Sequence, residues 1–413
     1  MFSPSNTGLD LRHHFQVAQD LLGETRDLLI GRVDSLRVDW AQARGWADYL
    51  LGLSDEALTK ADTLGIAKWF VADGDCPASL RDLAARVEAV CVLPRWEAPQ
   101  DPTANWPAVN ARKRQQIAAV LHVLRAFYPR LSQLVDVGAG RGQLTTRAAR
   151  ALSVPALGLE RDPERVAVAR LLAGDAQVEF LAMDVLAARP MPTEGLADGS
   201  ACLLMALHGC GELGDALVRQ AVARSAHVLL LACCPQKIRG HERAPLVGTG
   251  PILPKEVLGL GNVLSRTAGI EGTLASELAT KEARLALRHL FEARGVAVLA
   301  GEEMRGVNRR KVHAGLPVLA QAACRARGLA DPGDSELRAA ASYAHDRYQA
   351  QRRLSLPRSM LGRVLEIFLA LDRAMFLLAA GYEVRVVELF PVGVSPRNIA
   401  LLGVSLTAAI KRL

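Results

Sequence analysis

The sequence predicts an α/β protein: a doubly wound, mostly parallel sheet of seven strands with an antiparallel last strand, a helical N-terminal region and a helical insertion. Three observations predict it. Residues 134–145, Leu-Val-Asp-Val-Gly-Ala-Gly-Arg-Gly-Gln-Leu-Thr, read as a buried strand that runs into a glycine-rich turn and then a helix. Apolar runs then alternate with helical periodicity, giving strands near 132–137, 154–159, 177–182, 200–206 and 226–232 and helices near 143–152, 162–173 and 213–224. The last two runs, Tyr382–Leu389 and Asn398–Ser405, are joined by a loop containing Pro391, Gly393 and Pro396. That loop is too short for a parallel crossover, so the two strands must pair antiparallel.

The glycine turn carries the first chemical information. Gly138, Gly140 and Gly142 allow a backbone to approach a ligand where a side chain would collide. Their spacing departs from the dinucleotide G-x-G-x-x-G, because the third glycine comes one position early and Gln143 stands in the expected place. Asp136 lies at the end of the first strand. The second run ends in Glu160, 18 residues beyond Gly142, where an acid can accept ribose hydroxyl protons. The third ends at Asp184, placed to meet an adenine amino group. A solvated strand end explains any one of these acids; three in succession point to a cofactor with a nucleoside. Asp-x-Gly-x-Gly-x-Gly is similar to the pattern of Rossmann-like S-adenosylmethionine-dependent methyltransferases. That likeness makes Asp136, Gly138, Gly140, Gly142, Glu160 and Asp184 the expected cofactor-binding set.

A chain of 413 residues exceeds the usual single-domain size, and half its residues are apolar, so a large core is available. The seven cysteines (76, 91, 202, 210, 233, 234 and 324) form no disulfide-scaffold spacing, and no secretory leader is seen, which leads to the expectation of a cytoplasmic protein. The most apolar helical stretch, Leu361–Ala380, contains Arg363, Glu366, Asp372 and Arg373, so no membrane span is expected.

Residues 1–108 read as a helical region, with periodic stretches at Phe15–Leu29 and Leu36–Leu51, a helix capped by Ser54 or Asp55, and a proline-bearing linker over Leu93–Pro107. Residues 109–240 form the first part of the sheet domain, 241–355 a helical insertion with a helix capped by Asp334 or Ser335 and running to about Arg353, and 356–413 the last helix and strands. The net charge of +7 concentrates in residues 281–363, where 16 Lys or Arg stand against 8 Asp or Glu. Such a segment can attract a polyanion such as RNA; a solvated helical surface explains it as well.

The strand ends add a more specific likeness. The fourth strand runs into Leu207-His208-Gly209-Cys210-Gly211-Glu212-Leu213 and the fifth into Ala232-Cys233-Cys234-Pro235-Gln236-Lys237. Further along stand Leu371-Asp372-Arg373, Val387-Glu-Leu-Phe-Pro391 and Ser395-Pro396-Arg397-Asn398, and Lys113-Arg114-Gln115-Gln116 precedes the first strand. These segments resemble the methyltransferase-like twenty-five family and its relatives, among them an enzyme that methylates a ribose 2′-hydroxyl in the tRNA acceptor stem. The resemblance covers about 110–240 and 355–405, and it implies a class I methyltransferase fold, S-adenosylmethionine as cofactor and an RNA acceptor, with tRNA favoured. Two departures bear on the acceptor: no Cys- and His-rich zinc modules are found, and the fifth-strand motif continues as Pro-Gln-Lys.

In a doubly wound sheet ligands bind at the carboxyl ends of the strands, which makes His208, Cys210, Glu212, Cys233 and Cys234 the candidate acceptor-facing residues. His208 suits a general base at neutral pH, with Glu212 as its support; alternatively it hydrogen-bonds the loop. The cysteines are small buried hydrophobes, pocket walls, or soft metal ligands. His-x-Cys and Cys-Cys are poor zinc spacings, so no metal is expected. Arg397 and Asn398 touch the acceptor or anchor the last loop. The rival readings are a protein or small-molecule methyltransferase on the same fold, and a binding protein that keeps the fold without catalysis.

Overall fold

The computed structural model describes residues 9–31, 33, 38–97, 109–128, 131–174, 177–187, 201–262, 274–298 and 302–406. Its main sheet has seven strands: β1 (Gln133–Val137), β2 (Ala156–Glu160), β3 (Val178–Ala182), β4 (Cys202–Leu207), β5 (His227–Leu231), β6 (Tyr382–Glu388) and β7 (Ile399–Ser405). They lie in the order β3-β2-β1-β4-β5-β7-β6. The first five pair in parallel, and β7 pairs antiparallel with both β5 and β6. The doubly wound sheet with an antiparallel finish, expected from the sequence, is therefore present.

The inner parallel strands are buried along nearly their whole length, which is why Gln-Leu-Val-Asp-Val and Cys-Leu-Leu-Met-Ala-Leu read as continuous apolar runs without alternation. Five helices accompany the sheet: α1 (Ala111–Phe127), α2 (Gln143–Leu152), α3 (Pro163–Ala173), α4 (Glu212–Arg224) and α5 (Leu356–Ala379). Local chemistry sets their starts. The Asn110 side chain accepts the Lys113 N–H at 2.8 Å, and Asp162 accepts from Glu164 and Arg165 ahead of Pro163 at the first helical position. Val120, Leu124, Leu134, Leu144, Leu203, Leu229 and Leu402 belong to one core that joins α1, α2 and the sheet.

One packing detail explains two glycines. Phe180 of β3 is buried beneath the glycine turn, and a Cβ at either Gly142 or Gly158 would fall inside contact distance of its ring. Gly158→Ala is expected to lose about 1–3 kcal/mol of stability by overpacking. In urea titrations the Gly158→Ala/Phe180→Leu double variant should lose less than the two single losses combined, because both changes act on the same space. Additive losses would show that the ring is not the obstacle.

The chain divides into two compact units. The first, with residues 1–26, 86–268 and 361–413, holds the sheet. The second combines 27–85 with 269–360, so much of the helical N-terminal region clusters with the insertion. Leu287, Phe291, Leu319, Ala323 and Ala344 form a buried cluster within its 269–360 part, and among the described residues its longest helices are Leu274–Ala293 and Asp334–Leu354.

Three local expectations shift. Phe15–Leu29 is split into Leu11–Glu24 and Arg26–Ile30 at Thr25, whose hydroxyl turns back to the Leu21 carbonyl. Leu36–Leu51 is split into Asp39–Ala43 and Ala47–Gly52 around Gly45, at φ +68°. The helix expected from Asp334 or Ser335 takes Gly333 as its N-cap, with the Glu336 carboxylate accepting the Gly333 N–H at 2.8 Å. Ser54 caps Asp55–Leu64 as expected. Most of the linker, with Pro99, Pro102 and Pro107, lies outside the described residues. Among the described residues no helix is long and apolar enough to cross a membrane.

Candidate functional site

The carboxyl ends of β1, β2, β4 and β5 meet at one edge of the sheet. Asp136 stands opposite Gly158 on one side and Met205 on the other, so the glycine turn, Glu160 and the His208 loop follow at neighbouring strand ends. Gly138, Gly140 and Gly142 all adopt positive φ (79°, 60° and 70°), a conformation that favours glycine. The Gly138 and Ala139 N–H groups are held by the Leu159 carbonyl, which docks the turn against β2.

Glu160 is buried and accepts the Gly140 N–H at 2.9 Å on one carboxylate oxygen and the Asp162 N–H at 3.2 Å on the other. Each oxygen keeps a further lone pair for a hydroxyl donor. Asp184 is exposed; it accepts the Leu186 N–H at 2.9 Å and pairs with Arg239 at 3.1 Å. That pair places the loop after β5 beside the end of β3. Side chains at Gly138 and Gly140 would meet almost nothing, so the space over the turn is open. An acid at the tip of β2, a second near the end of β3 and an open glycine turn fit a nucleoside cofactor.

Asp136 is 2% exposed, and its carboxylate accepts the Thr145 hydroxyl at 2.6 Å. Burial raises its pKa from 3.8 to about 6, against the opposing effects of Thr145 and Lys113. Lys113, half-buried at the start of α1, is held below its usual pKa by burial and by Arg147 and Arg141, while Asp136 pulls the other way. A carboxyl whose folded pKa is raised adds stability when protonated and loses it as pH rises from about 3.8 to about 6. Asp136→Asn removes that titration. Its stability relative to the unaltered chain should therefore improve by up to about 3 kcal/mol between pH 4 and pH 7. Chemical denaturation at both pH values checks this, and a pH-independent difference would refute it.

His208 follows β4 at φ +75°, its N–H bonded to the Leu231 carbonyl at 2.9 Å. At the mouth it is only partly shielded from water. Desolvation, then Lys113 and Lys237, hold its pKa below 6.5, so the imidazole is neutral at physiological pH. Cys210 and Cys233 are joined in a disulfide, and the Cys234 thiol lies with their sulfurs in a cluster within 4.8 Å. The cysteines form no scaffold of bridges, yet the fold brings this one pair from two strand ends together.

Glu212 does not orient the imidazole. Its carboxylate accepts the Arg239 N–H at 3.0 Å, and its own N–H bonds the Lys237 carbonyl, so it fastens the loop that follows β5. Asn398 is fully buried between Arg363 and the Phe390 carbonyl, and Arg397 pairs with Glu366, which makes both anchors of the last loop.

Sequence reasoning missed Thr145, Lys237 and Arg239. Their roles depend on contacts between strand ends, and no local pattern announces them. Lys113 was visible only as part of a basic segment.

Residues 112–241 match a protein-family model described as a methyltransferase domain. Residues 112–241 therefore carry a methyltransferase domain, and its strands belong to a seven-stranded sheet. Among solved structures it is similar to the S-adenosylmethionine-dependent methyltransferase SibL in its apo form, at 16% identity and a TM-score of 0.23, covering 51% of this chain and 60% of SibL. It is also similar to the plantazolicin methyltransferase BpumL in complex with SAH, at 13% identity and a TM-score of 0.24, covering 49% of this chain and 68% of that one. The chain thus spans three fifths of SibL. No curated protein matches it.

Proposed function

We propose that this chain transfers the methyl group of S-adenosylmethionine to an acceptor at the mouth formed by the ends of β4 and β5. One observation carries the reading: the glycine turn and Glu160 open onto the same edge as His208. Glu160 holds the ribose hydroxyls and Asp184 the adenine amine. Asp136 and Thr145 fix the turn from below. S-adenosylmethionine supplies an electrophilic methyl on a positively charged sulfur. His208 takes the acceptor's proton, and the chain's remaining contribution is alignment.

The acceptor we favour is RNA, tRNA foremost. The strand-end motifs and their likeness to the methyltransferase-like twenty-five family support it, together with the basic excess over 281–363. Neutralising Arg309, Arg310 and Lys311 is expected to weaken RNA association and to lower the salt slope by about one for each phosphate that is no longer neutralised. Unchanged binding would remove that segment from the interface.

A second reading, a small-molecule or peptide acceptor, is favoured by the pairing of the arginines. Arg284 and Arg288 face Glu303, Arg294 faces Glu336, Arg325 faces Asp331, Arg352 faces Asp62 and Arg353 faces Asp55. Much of the positive charge is thus matched within its own unit.

Transfer of labelled methyl into separated tRNA, rRNA, protein and small-molecule fractions tests both. A folded Asp136→Ala/Glu160→Ala variant is the control. Label in tRNA that the control does not produce supports the RNA reading; label only in protein or small molecules supports the second. Saturable cofactor binding by the control would overturn the site assignment.

A further inference from the structure

We propose that Cys210, Cys233 and Cys234, when reduced, form a three-thiolate site for a soft divalent cation of the zinc class at the mouth of the crevice. The sequence spacing argues against such a site, since two neighbouring cysteines on a strand point to opposite faces. The fold removes that objection. β5 ends at Leu231, and the chain leaves the sheet through Cys233 and Cys234 into a turn closed by the Lys237 N–H on the Cys234 carbonyl at 3.1 Å. Outside the strand both sulfurs reach one place. The loop after β4 brings Cys210 to them, with its Cα 5.2 Å from that of Cys233. All three sulfurs lie within 4.8 Å of one another. Sulfurs around one tetrahedral ion with metal–sulfur bonds of about 2.3 Å stand roughly 3.8 Å apart, so the cluster needs little movement to close on an ion.

The chemistry follows from charge and redox state. With Cys210 and Cys233 bonded, Cys234 is the lone thiol of the cluster. Two electrons and two protons convert the disulfide into two thiols. Three thiols then bind one divalent ion and release three protons, leaving a site of net charge −1 near the two ammonium groups, Lys113 and Lys237, that act on His208. Three protein ligands leave a fourth position open, the arrangement of ions that hold water or a substrate and do not merely brace a fold. Disulfide and metal exclude each other, so the ion is present only under reducing conditions.

The test uses the full chain, reduced with a phosphine under argon, which is oxidised to the phosphine oxide as the disulfide is split. Zinc content by mass spectrometry and competition with a chromogenic chelator give stoichiometry and affinity; cobalt(II) gives thiolate charge-transfer bands in the ultraviolet. One equivalent per chain is expected. Cys234→Ser, which leaves the disulfide pair untouched, should weaken zinc at least tenfold and bleach the cobalt bands. Reoxidation with oxidised glutathione, itself split into two thiols, should expel the ion. Substoichiometric zinc in the reduced protein would overturn the proposal. So would zinc held equally by a Cys210→Ser/Cys233→Ser/Cys234→Ser variant. S-adenosylmethionine binding by each variant reports that its sheet is intact.

Discussion

His208→Asn is expected to reduce methyl transfer by about 10²- to 10⁴-fold, the usual contribution of a general base, with cofactor affinity nearly unchanged. Asparagine is the right probe because it tolerates the left-handed backbone that His208 occupies at φ +75°, whereas alanine would add strain of its own. The main-chain bond from position 208 to the Leu231 carbonyl survives the change. Turnover at saturating cofactor, measured beside a binding titration, separates the two roles left open for this residue. A loss in turnover alone assigns it to proton transfer. Near-normal turnover would leave it as a loop fastener, and the base would have to be sought elsewhere at the mouth. The pKa held below 6.5 also sets the direction of the pH profile: the acidic limb belongs below the range of an ordinary histidine.

Asp372→Ala is expected to destabilise the fold by about 3–5 kcal/mol, because it takes one of two carboxylates from a buried guanidinium and leaves the Leu246 N–H without its acceptor. Asp372 is fully buried on α5 and accepts Arg243 at 2.7 Å and the Leu246 N–H at 2.9 Å. Arg243 in turn grips Asp215 at the start of α4, and Asp215 also takes Arg373, whose second nitrogen reaches the Gly211 carbonyl. Two acids and two arginines thus bind the last helix to the loops beside the site. Urea titration should show a lower midpoint with little change in slope. A loss below about 1 kcal/mol would mean that water reaches Arg243 when its partner is removed.

Much of the fold was legible because it is local. A continuous apolar run marks a parallel strand covered on both faces, a glycine triplet marks the turn, and a short loop forces its strands to run antiparallel. Glu160 was legible from its spacing, and the structure places it against the glycine turn. The ion network was not, since Arg243 and Asp372 are 129 positions apart and neither disturbs any periodicity. The Asp372-Arg373 pair stood out in the sequence as part of a family likeness, and its contacts show a structural role. The pairing of 27–85 with 269–360 escaped for the same reason: two amphipathic stretches each announce a buried face without naming the partner.

The strand order has a consequence for how the chain matures. β5 and β7 are neighbours in the sheet, yet Leu231 and Ile399 are 168 positions apart in the chain. Synthesis at about 5–20 residues per second leaves β5 as an uncovered, apolar edge for roughly 10–30 s. Closing so long an interval also costs entropy before any contact repays it. Throughout that time the nascent chain can make the glycine turn and the first four strand pairings while presenting a sticky flank. A ribosome that stalls before residue 399 would therefore release a species with a formed cofactor crevice and a strong tendency to aggregate.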